Sequence, residues 1–109
     1  MEVSVEGGLT KEDVLAVWEA IMAHPVYEQA VAGLVFFDRE MKWHLSANEM
    51  GELGREVLKL KPLHWAFIAP DALSFGMTRM FSAQAEGEGT YHTFDSEVAA
   101  RKWLQSVGV

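Results

Sequence analysis

Apolar and polar residues alternate at the start of the chain and then recur at helical spacing. Val3 and Val5 alternate with polar neighbours, the pattern of a strand with one solvated face. The next apolar positions follow in steps of three and four residues, at Val14, Trp18, Ile21 and Met22. This stripe predicts a helix in which the Thr10 hydroxyl accepts from the Asp13 amide and His24-Pro25 marks the end.

Two continuous apolar runs, Val31–Phe37 and Leu63–Ala69, are typical of strands buried on both faces. Between them, Ser46 and Glu49 have the spacing of a capping box, which predicts the start of a second helix. The apolar positions of that helix recur at Met50, Leu53, Val57 and Leu60.

Two glycines, Gly51 and Gly54, lie inside the second predicted helix. Each costs a helix about 0.5–1 kcal/mol relative to alanine. Glycine at such positions allows close approach of another backbone, so we expect this helix to lie tightly on the sheet.

A third helix is predicted after Pro70, with Asp71 as its N-cap. Its apolar stripe comprises Leu73, Met77, Met80 and Phe81. A short strand at Thr90–Phe94 and a last helix capped by Asp95 or Ser96 follow. The inward positions of the last helix are predicted to be Ala99, Ala100, Trp103, Leu104 and Val107.

The predicted order is β-α-β-α-β-α-β-α over 109 residues. Strands that alternate with helices indicate an α/β fold with a mostly parallel four-stranded sheet, right-handed crossovers and four covering helices. We interpret residues 1–109 as a single domain, because no linker, repeat or low-complexity segment divides the chain.

Composition excludes several classes of function. Nine basic residues against 16 acidic residues give a formal net charge of −7, which disfavours binding to nucleic acid. The absence of cysteine excludes disulfides, thiol catalysis and thiolate metal sites. No apolar run is long enough for a membrane span, and no signal peptide is recognisable, so a cytoplasmic location is expected.

Catalytic and metal-binding patterns are weak. The four histidines are scattered, and none forms the close pair that metal sites favour, so neither a metal nor another cofactor is expected. Serine, histidine and acidic residues that a nucleophilic triad needs are present, but no nucleophile elbow accompanies them. We therefore expect a protein that is not an enzyme.

Three stretches together resemble the SpoIIAA-like family of small bacterial STAS-type domains: Gly7–Val14, Ala66–Phe81 and Tyr91–Leu104. The resemblance runs over almost the full length. Its most specific part is the Ala69-Pro70-Asp71 joint together with Gly76, Met77, Arg79, Met80 and Phe81. It implies a STAS-like mixed sheet and a binding or regulatory role. The phosphorylated-serine signature of the anti-sigma-factor antagonists in the wider superfamily does not match here, where only Ser46 stands near the start of the second helix.

The leading hypothesis is a regulatory module that acts through contacts with a protein partner or a second copy of the chain. Its predicted contact surface is the Asp38–Ser46 loop, with Met41 and Trp43 as anchors. Large apolar side chains in a loop either form such a patch or fold back onto the core. The same loop contributes Asp38 and the helix start at Ser46.

Further candidate binding residues lie around the third helix. Asp71 and Ser74 are at its start, where free N–H groups favour anions, although an aspartate there also acts as a cap. Arg79 could reach a carboxylate of a ligand or partner, or pair with a surface acid. The alternative function is a carrier or sensor of a small apolar or amphipathic, lipid-like ligand, held between the sheet and the methionine-rich helices.

Overall fold

The computed structural model describes residues 2–25, 32–56, 64–85 and 90–107. Their strands are β1 (Glu2–Val5), β2 (Gly8–Leu9), β3 (Ala32–Phe37), β4 (Lys42–Trp43), β5 (His64–Ile68) and β6 (Thr90–Phe94). Their helices are α1 (Lys11–Ala23), α2 (Ala47–Glu56), α3 (Ala72–Gln84) and α4 (Glu97–Ser106). The predicted α/β order is confirmed, with two additional two-residue strands. The predicted positions Val31, Val57, Leu60 and Leu63 lie outside the described residues.

Within the described residues, the main sheet has the strand order β1-β3-β5-β6, and its neighbouring strands are all parallel. Val35 in β3 is opposite Val3 in β1 and Phe67 in β5, and Phe67 is opposite Thr93 in β6. A helix joins each strand of this sheet to the next and returns the chain to the same end, which makes the strands parallel. The mixed sheet implied by the resemblance is therefore not what these strands form.

Helices cover the two faces of the main sheet unequally. Strands in sequential order with right-handed crossovers place their connecting helices on one face, and α1, α2 and α3 pack together there. That core contains Ile21, Met50, Leu53, Met77 and Phe81 against Val35, Trp65 and Phe67. On the opposite face, α4 packs through Ala100 and Leu104 against Leu34, Ala66 and Ile68. We call the face under α1, α2 and α3 the inner face.

The helix starts follow the predicted capping chemistry. Thr10 and Asp13 form a reciprocal box, with Thr10 N–H to Asp13 Oδ2 at 2.9 Å and Asp13 N–H to Thr10 Oγ1 at 3.2 Å. The hydrogen bond from the Thr10 backbone holds the pKa of Asp13 below its ordinary value. Asp71 caps α3, and Ser96, rather than Asp95, caps α4. The His24-Pro25 end of α1 is also confirmed.

The predicted inward stripes of α1 and α3 need correction. Met22, Leu73 and Met80 are exposed, Leu73 at 62%. On α3, Ser74 and Thr78 occupy buried positions instead, each 1% exposed. A buried hydroxyl needs a partner, and Thr78 donates to the Ser74 carbonyl within the same helix at 2.9 Å. The helix can thus turn two small polar residues inward, which apolar spacing alone does not reveal.

The glycines of α2 allow a close approach, but the neighbour is a helix. A Cβ at Gly54 would collide with the Phe81 carbonyl oxygen in α3 and lie 3.0 Å from Gln84 Cβ. Gly51 faces the same helix, where an added Cβ would lie 3.5 Å from Gln84 Cγ. The prediction of tight packing is confirmed, whereas the prediction that the sheet is the contacted element is wrong.

Candidate ligand cavity

A cavity of about 70 Å³ lies between the inner face of the main sheet and the helices α1, α2 and α3. Of the described residues that line it, all are apolar or aromatic except Thr78. Helix α1 forms one wall with Val14, Val17, Trp18 and Ile21. Ile21 is the one buried residue of these four, and the other three are half-buried. The inward face of α1 therefore borders the cavity rather than closing completely onto the sheet.

Aromatic rings from α1, α3 and the main sheet contact one another around the cavity. Phe81 contacts Phe67, Tyr91 and Trp18 with ring centroids 5.5, 5.7 and 6.0 Å apart. The first two contacts are edge-to-face, a favourable arrangement for neighbouring rings. These contacts hold the wall in a defined shape, because each ring is supported by others.

Strand β4 brings Trp43 to the edge of the cavity. It pairs with β2, and the Lys42 amide donates to the Gly7 carbonyl at 2.8 Å. Gly7 has a φ of +79°, a conformation that glycine adopts without strain. The Trp43 indole stacks on Phe37 with ring centroids 5.5 Å apart, and it lines the cavity.

The predicted contact surface therefore needs correction at its two anchors. Met41 is 7% exposed and belongs to the core, and Trp43 is half-buried. Of the two alternatives that the sequence left open, the structure shows folding back onto the core. The charged residues before Trp43 suggested an exposed loop. The segment turns inward because β4 pairs with β2, whose residues lie more than 30 positions away in the sequence.

Three of the predicted site residues meet in one hydrogen-bonded chain. Trp43 Nε1 donates to Ser74 Oγ at 2.9 Å, and Ser74 Oγ donates to Asp71 Oδ2 at 3.1 Å. The other carboxylate oxygen of Asp71 accepts from the Ser74 amide at 2.8 Å. The Asp71 carboxylate therefore already accepts from the Ser74 amide and hydroxyl at the start of α3. This arrangement ties β4 to α3 and holds the Trp43 ring at the edge of the cavity.

The remaining predicted site residues lie away from this chain of hydrogen bonds. Asp38 Oδ1 accepts from the Glu40 amide at 3.1 Å, an interaction within the turn after β3. Ser46 caps α2 and is exposed. Arg79 is exposed on α3 and has no hydrogen bond or ion pair with any residue in the described ranges. None of these three lines the cavity.

The capping role of Ser46 leads to a specific prediction. Its Oγ accepts from the Glu49 amide at 3.1 Å, and Glu49 Oε1 accepts from the Ser46 amide at 2.9 Å. Ser46→Ala should lower the free energy of unfolding by about 1 kcal/mol, whereas Ser46→Asp should stay within about 0.5 kcal/mol of the parent, because aspartate caps equally well. Urea unfolding of both variants measures this. Equal losses in the two variants would contradict the capping role.

Trp65 is a cavity residue that the sequence pattern assigned only to a buried strand. It is 3% exposed, and its ring lies against Gly33, where a Cβ would collide with the indole. Its Nε1 is buried without a hydrogen-bond acceptor among the described residues. Gly33 in β3 was the sequence feature that could have indicated a large side chain beside it. Recognising Trp65 as that side chain requires the register of β3 and β5, which pairs the two residues.

The described ranges contain neither a metal-binding cluster nor a membrane-spanning helix. No group of three or more histidine, aspartate and glutamate residues there could hold a metal ion. No helix in the same ranges is both long and apolar enough to cross a membrane. The cavity is therefore the candidate site.

Comparisons with protein-family models, curated proteins and solved structures gave no match. The resemblance to the SpoIIAA-like family thus stays a prediction.

Proposed function

We propose that this protein is a STAS-like α/β module that binds a small apolar molecule in the cavity, as a carrier or sensor, and that it catalyses no reaction. The observation that carries the proposal is the cavity itself, with apolar and aromatic walls on both the sheet and the helices. Ligand sites of small molecules are mostly apolar, with few polar groups that fix orientation.

The polar groups at the cavity support binding rather than catalysis. The Thr78 hydroxyl donates within α3, to the carbonyls of Ser74 and Phe75, and accepts from Thr93. Trp43 Nε1 is already bonded to Ser74. Among the described lining residues, none carries a carboxylate, imidazole or amine, and Tyr91 supplies the one phenol.

The size and lining of the cavity narrow the proposed ligand. A volume of about 70 Å³ is small compared with the roughly 150 Å³ cavity that accommodates benzene in an engineered protein. A long acyl chain would need far more space, so a compact molecule fits better than a lipid. Met50 is the methionine among the described lining residues, whereas Met22 and Met80 are exposed. The methionine-rich pocket envisaged from the sequence is therefore replaced by an aromatic one.

The hypothesis of regulation through protein contacts has less support. Met41, one of its two anchors, is buried, and Trp43, the other, lines the cavity. Among the described residues, the exposed large apolar side chains belong to three different helices: Met22, Leu73, Met80 and Val98. Single exposed apolar residues are normal on protein surfaces and do not indicate an interface.

The proposal is tested by releasing and identifying what the protein carries. Protein isolated gently from its native cells is denatured by heat, and the released small molecules are measured by gas chromatography and mass spectrometry. Val17→Phe enlarges a side chain on the α1 wall and should reduce the released ligand at least tenfold. Val98→Phe is the matched control on α4, where Val98 is 66% exposed, and should release as much as the parent.

Two outcomes would contradict the proposal. The first is that heating the parent protein releases no small molecule in a larger amount than heating the Val17→Phe variant does. The other is clean parent protein recovered with a stoichiometric protein partner, which would favour the regulatory alternative.

A further inference from the structure

The surface of the cavity is almost entirely apolar, although five of its described lining residues carry a polar side-chain atom. These are one hydroxyl residue, one phenol and three indoles: Thr78, Tyr91, Trp18, Trp43 and Trp65. Because their oxygen and nitrogen atoms contribute so little to the cavity surface, those atoms lie mostly away from the cavity or are covered by neighbours. A ligand in the cavity therefore contacts mainly carbon.

Hydrogen bonds within the protein account for two of these polar groups. The Thr78 hydroxyl donates to the Ser74 carbonyl at 2.9 Å and accepts from the Thr93 hydroxyl at 3.1 Å, and Thr78 is 1% exposed. Trp43 Nε1 donates to Ser74 Oγ at 2.9 Å and has no second hydrogen to offer. Neither group can donate to a ligand without first losing a bond inside the protein.

The Trp65 indole is closed to a ligand by its burial. Trp65 is 3% exposed, and its Nε1 is buried without a partner among the described residues. An atom that borders a cavity wide enough for a small molecule has accessible surface there, which this nitrogen lacks. Its N–H therefore offers no hydrogen bond to a molecule in the cavity.

A hydrogen-bonding group on a ligand would lose its contacts with water on entering this cavity and gain no partner in return. Burying a polar group without a partner is unfavourable, and burying a charge is far more so. No charged residue is among the described lining residues to offset a ligand charge. A C–H group, in contrast, gains dispersion contacts with the aliphatic and aromatic walls. The lining thus favours a ligand without oxygen or nitrogen.

The cavity volume limits the length of such a ligand. A volume of about 70 Å³ is more than twice the roughly 30 Å³ that one water molecule occupies in the liquid. It is also less than half of the roughly 150 Å³ that accommodates benzene in an engineered protein. A hydrocarbon of only a few carbon atoms lies between these limits.

We infer that the ligand of the proposed function is a short hydrocarbon, and that the cavity discriminates against a polar analogue of the same shape. This inference rests on the proposed function, because it assigns the ligand class to the same cavity. The discrimination comes from the lost hydration of the polar analogue, since no lining group replaces it.

The test uses two probes of the same shape, isobutene and acetone, which differ in having C=CH₂ or C=O. Their Kd values are measured by NMR titration of the parent protein, and the ratio is compared with the ratio of their water-to-hexadecane partition coefficients. Hexadecane offers no hydrogen bond, so it is the reference for a site that offers none. We expect the protein to prefer isobutene as strongly as hexadecane does, or at most about fivefold less, equivalent to about 1 kcal/mol.

Variants show where isobutene binds and whether the lining hydroxyl contributes. Val17→Phe enlarges a side chain on the α1 wall and should weaken isobutene binding at least about tenfold, whereas Val98→Phe on α4 should leave it unchanged. Thr78→Val removes the hydroxyl and keeps the shape of the side chain. It should leave the preference for isobutene unchanged, because that hydroxyl is bonded within the protein. The comparison with hexadecane uses the parent protein and needs no variant to fold.

The outcomes separate the two proposals. If neither probe binds the parent protein, or Val17→Phe binds isobutene as tightly as the parent does, both the ligand class and the proposed function fail. If the parent protein binds acetone and prefers isobutene more than about fivefold less than hexadecane does, the ligand class fails and the proposed function stands. A Thr78→Val variant with a stronger preference for isobutene than the parent would likewise overturn the ligand class alone.

Discussion

Trp43→Ala should lower the free energy of unfolding by about 3–5 kcal/mol, the range for removing a large aromatic side chain from a packed site. The indole stacks on Phe37 and donates to Ser74, which is 1% exposed. Its loss removes the aromatic contact and leaves Ser74 Oγ without its donor. Urea or thermal unfolding measures the effect.

Two further variants show which part of Trp43 stabilises the fold. Trp43→Phe keeps a ring beside Phe37 and removes only the hydrogen bond, so a loss of about 0.5–1.5 kcal/mol is expected. Leu73→Ala changes an exposed apolar residue and should stay within about 0.5 kcal/mol of the parent. An unchanged melting temperature in Trp43→Ala, together with weaker self-association in sedimentation, would instead restore the contact-surface hypothesis.

Gly54→Leu should destabilise the protein by about 3 kcal/mol, the upper part of the usual range for overpacking. A Cβ at Gly54 meets the carbonyl oxygen of Phe81, which is backbone and cannot move aside as a flexible side chain does. Leucine is intrinsically the better helix former, so the expected sign is opposite to that of helix propensity. Urea unfolding of Gly54→Leu shows whether the collision with Phe81 or the helix propensity of leucine has the larger effect on the free energy of unfolding.

Gly76 supplies the matched control for Gly54. It lies inside α3, and a Cβ there would meet no described atom within 4 Å. Gly76→Ala should therefore raise the free energy of unfolding by about 0.5–1 kcal/mol through propensity alone. A Gly54→Leu variant as stable as Gly76→Ala would show that α2 and α3 are not in close contact.

Local signals predicted the elements of this fold well. The residues that cap a helix act within a few positions, so the Thr10 and Ser46 boxes and the Asp71 cap could be recognised without knowledge of the rest of the chain. The inward face of α4 could likewise be predicted, because its apolar residues other than the exposed Val98 lie on one side of the helix. The alternation of strands and helices then indicated an α/β fold.

Predictions failed where the neighbour of a residue comes from a distant part of the chain. The close approach at Gly54 was expected, but its partner Phe81 belongs to a helix that begins more than 15 residues later. Met41 and Trp43 turned inward because β4 pairs with β2. The buried Ser74 and the exposed Leu73 could not be told apart by spacing, because both positions are compatible with an α-helix stripe.

By itself, the sequence determined the helix starts, the order of strands and helices, and the exclusion of thiol chemistry, since these depend on residue type and short-range spacing. Only the tertiary structure decided which side chains border the cavity and which fill the core, because both sets are apolar and follow the same periodicity. The Trp65 N–H shows the reason most clearly. Its lack of a partner depends on every element packed around it, and no local pattern contains that information.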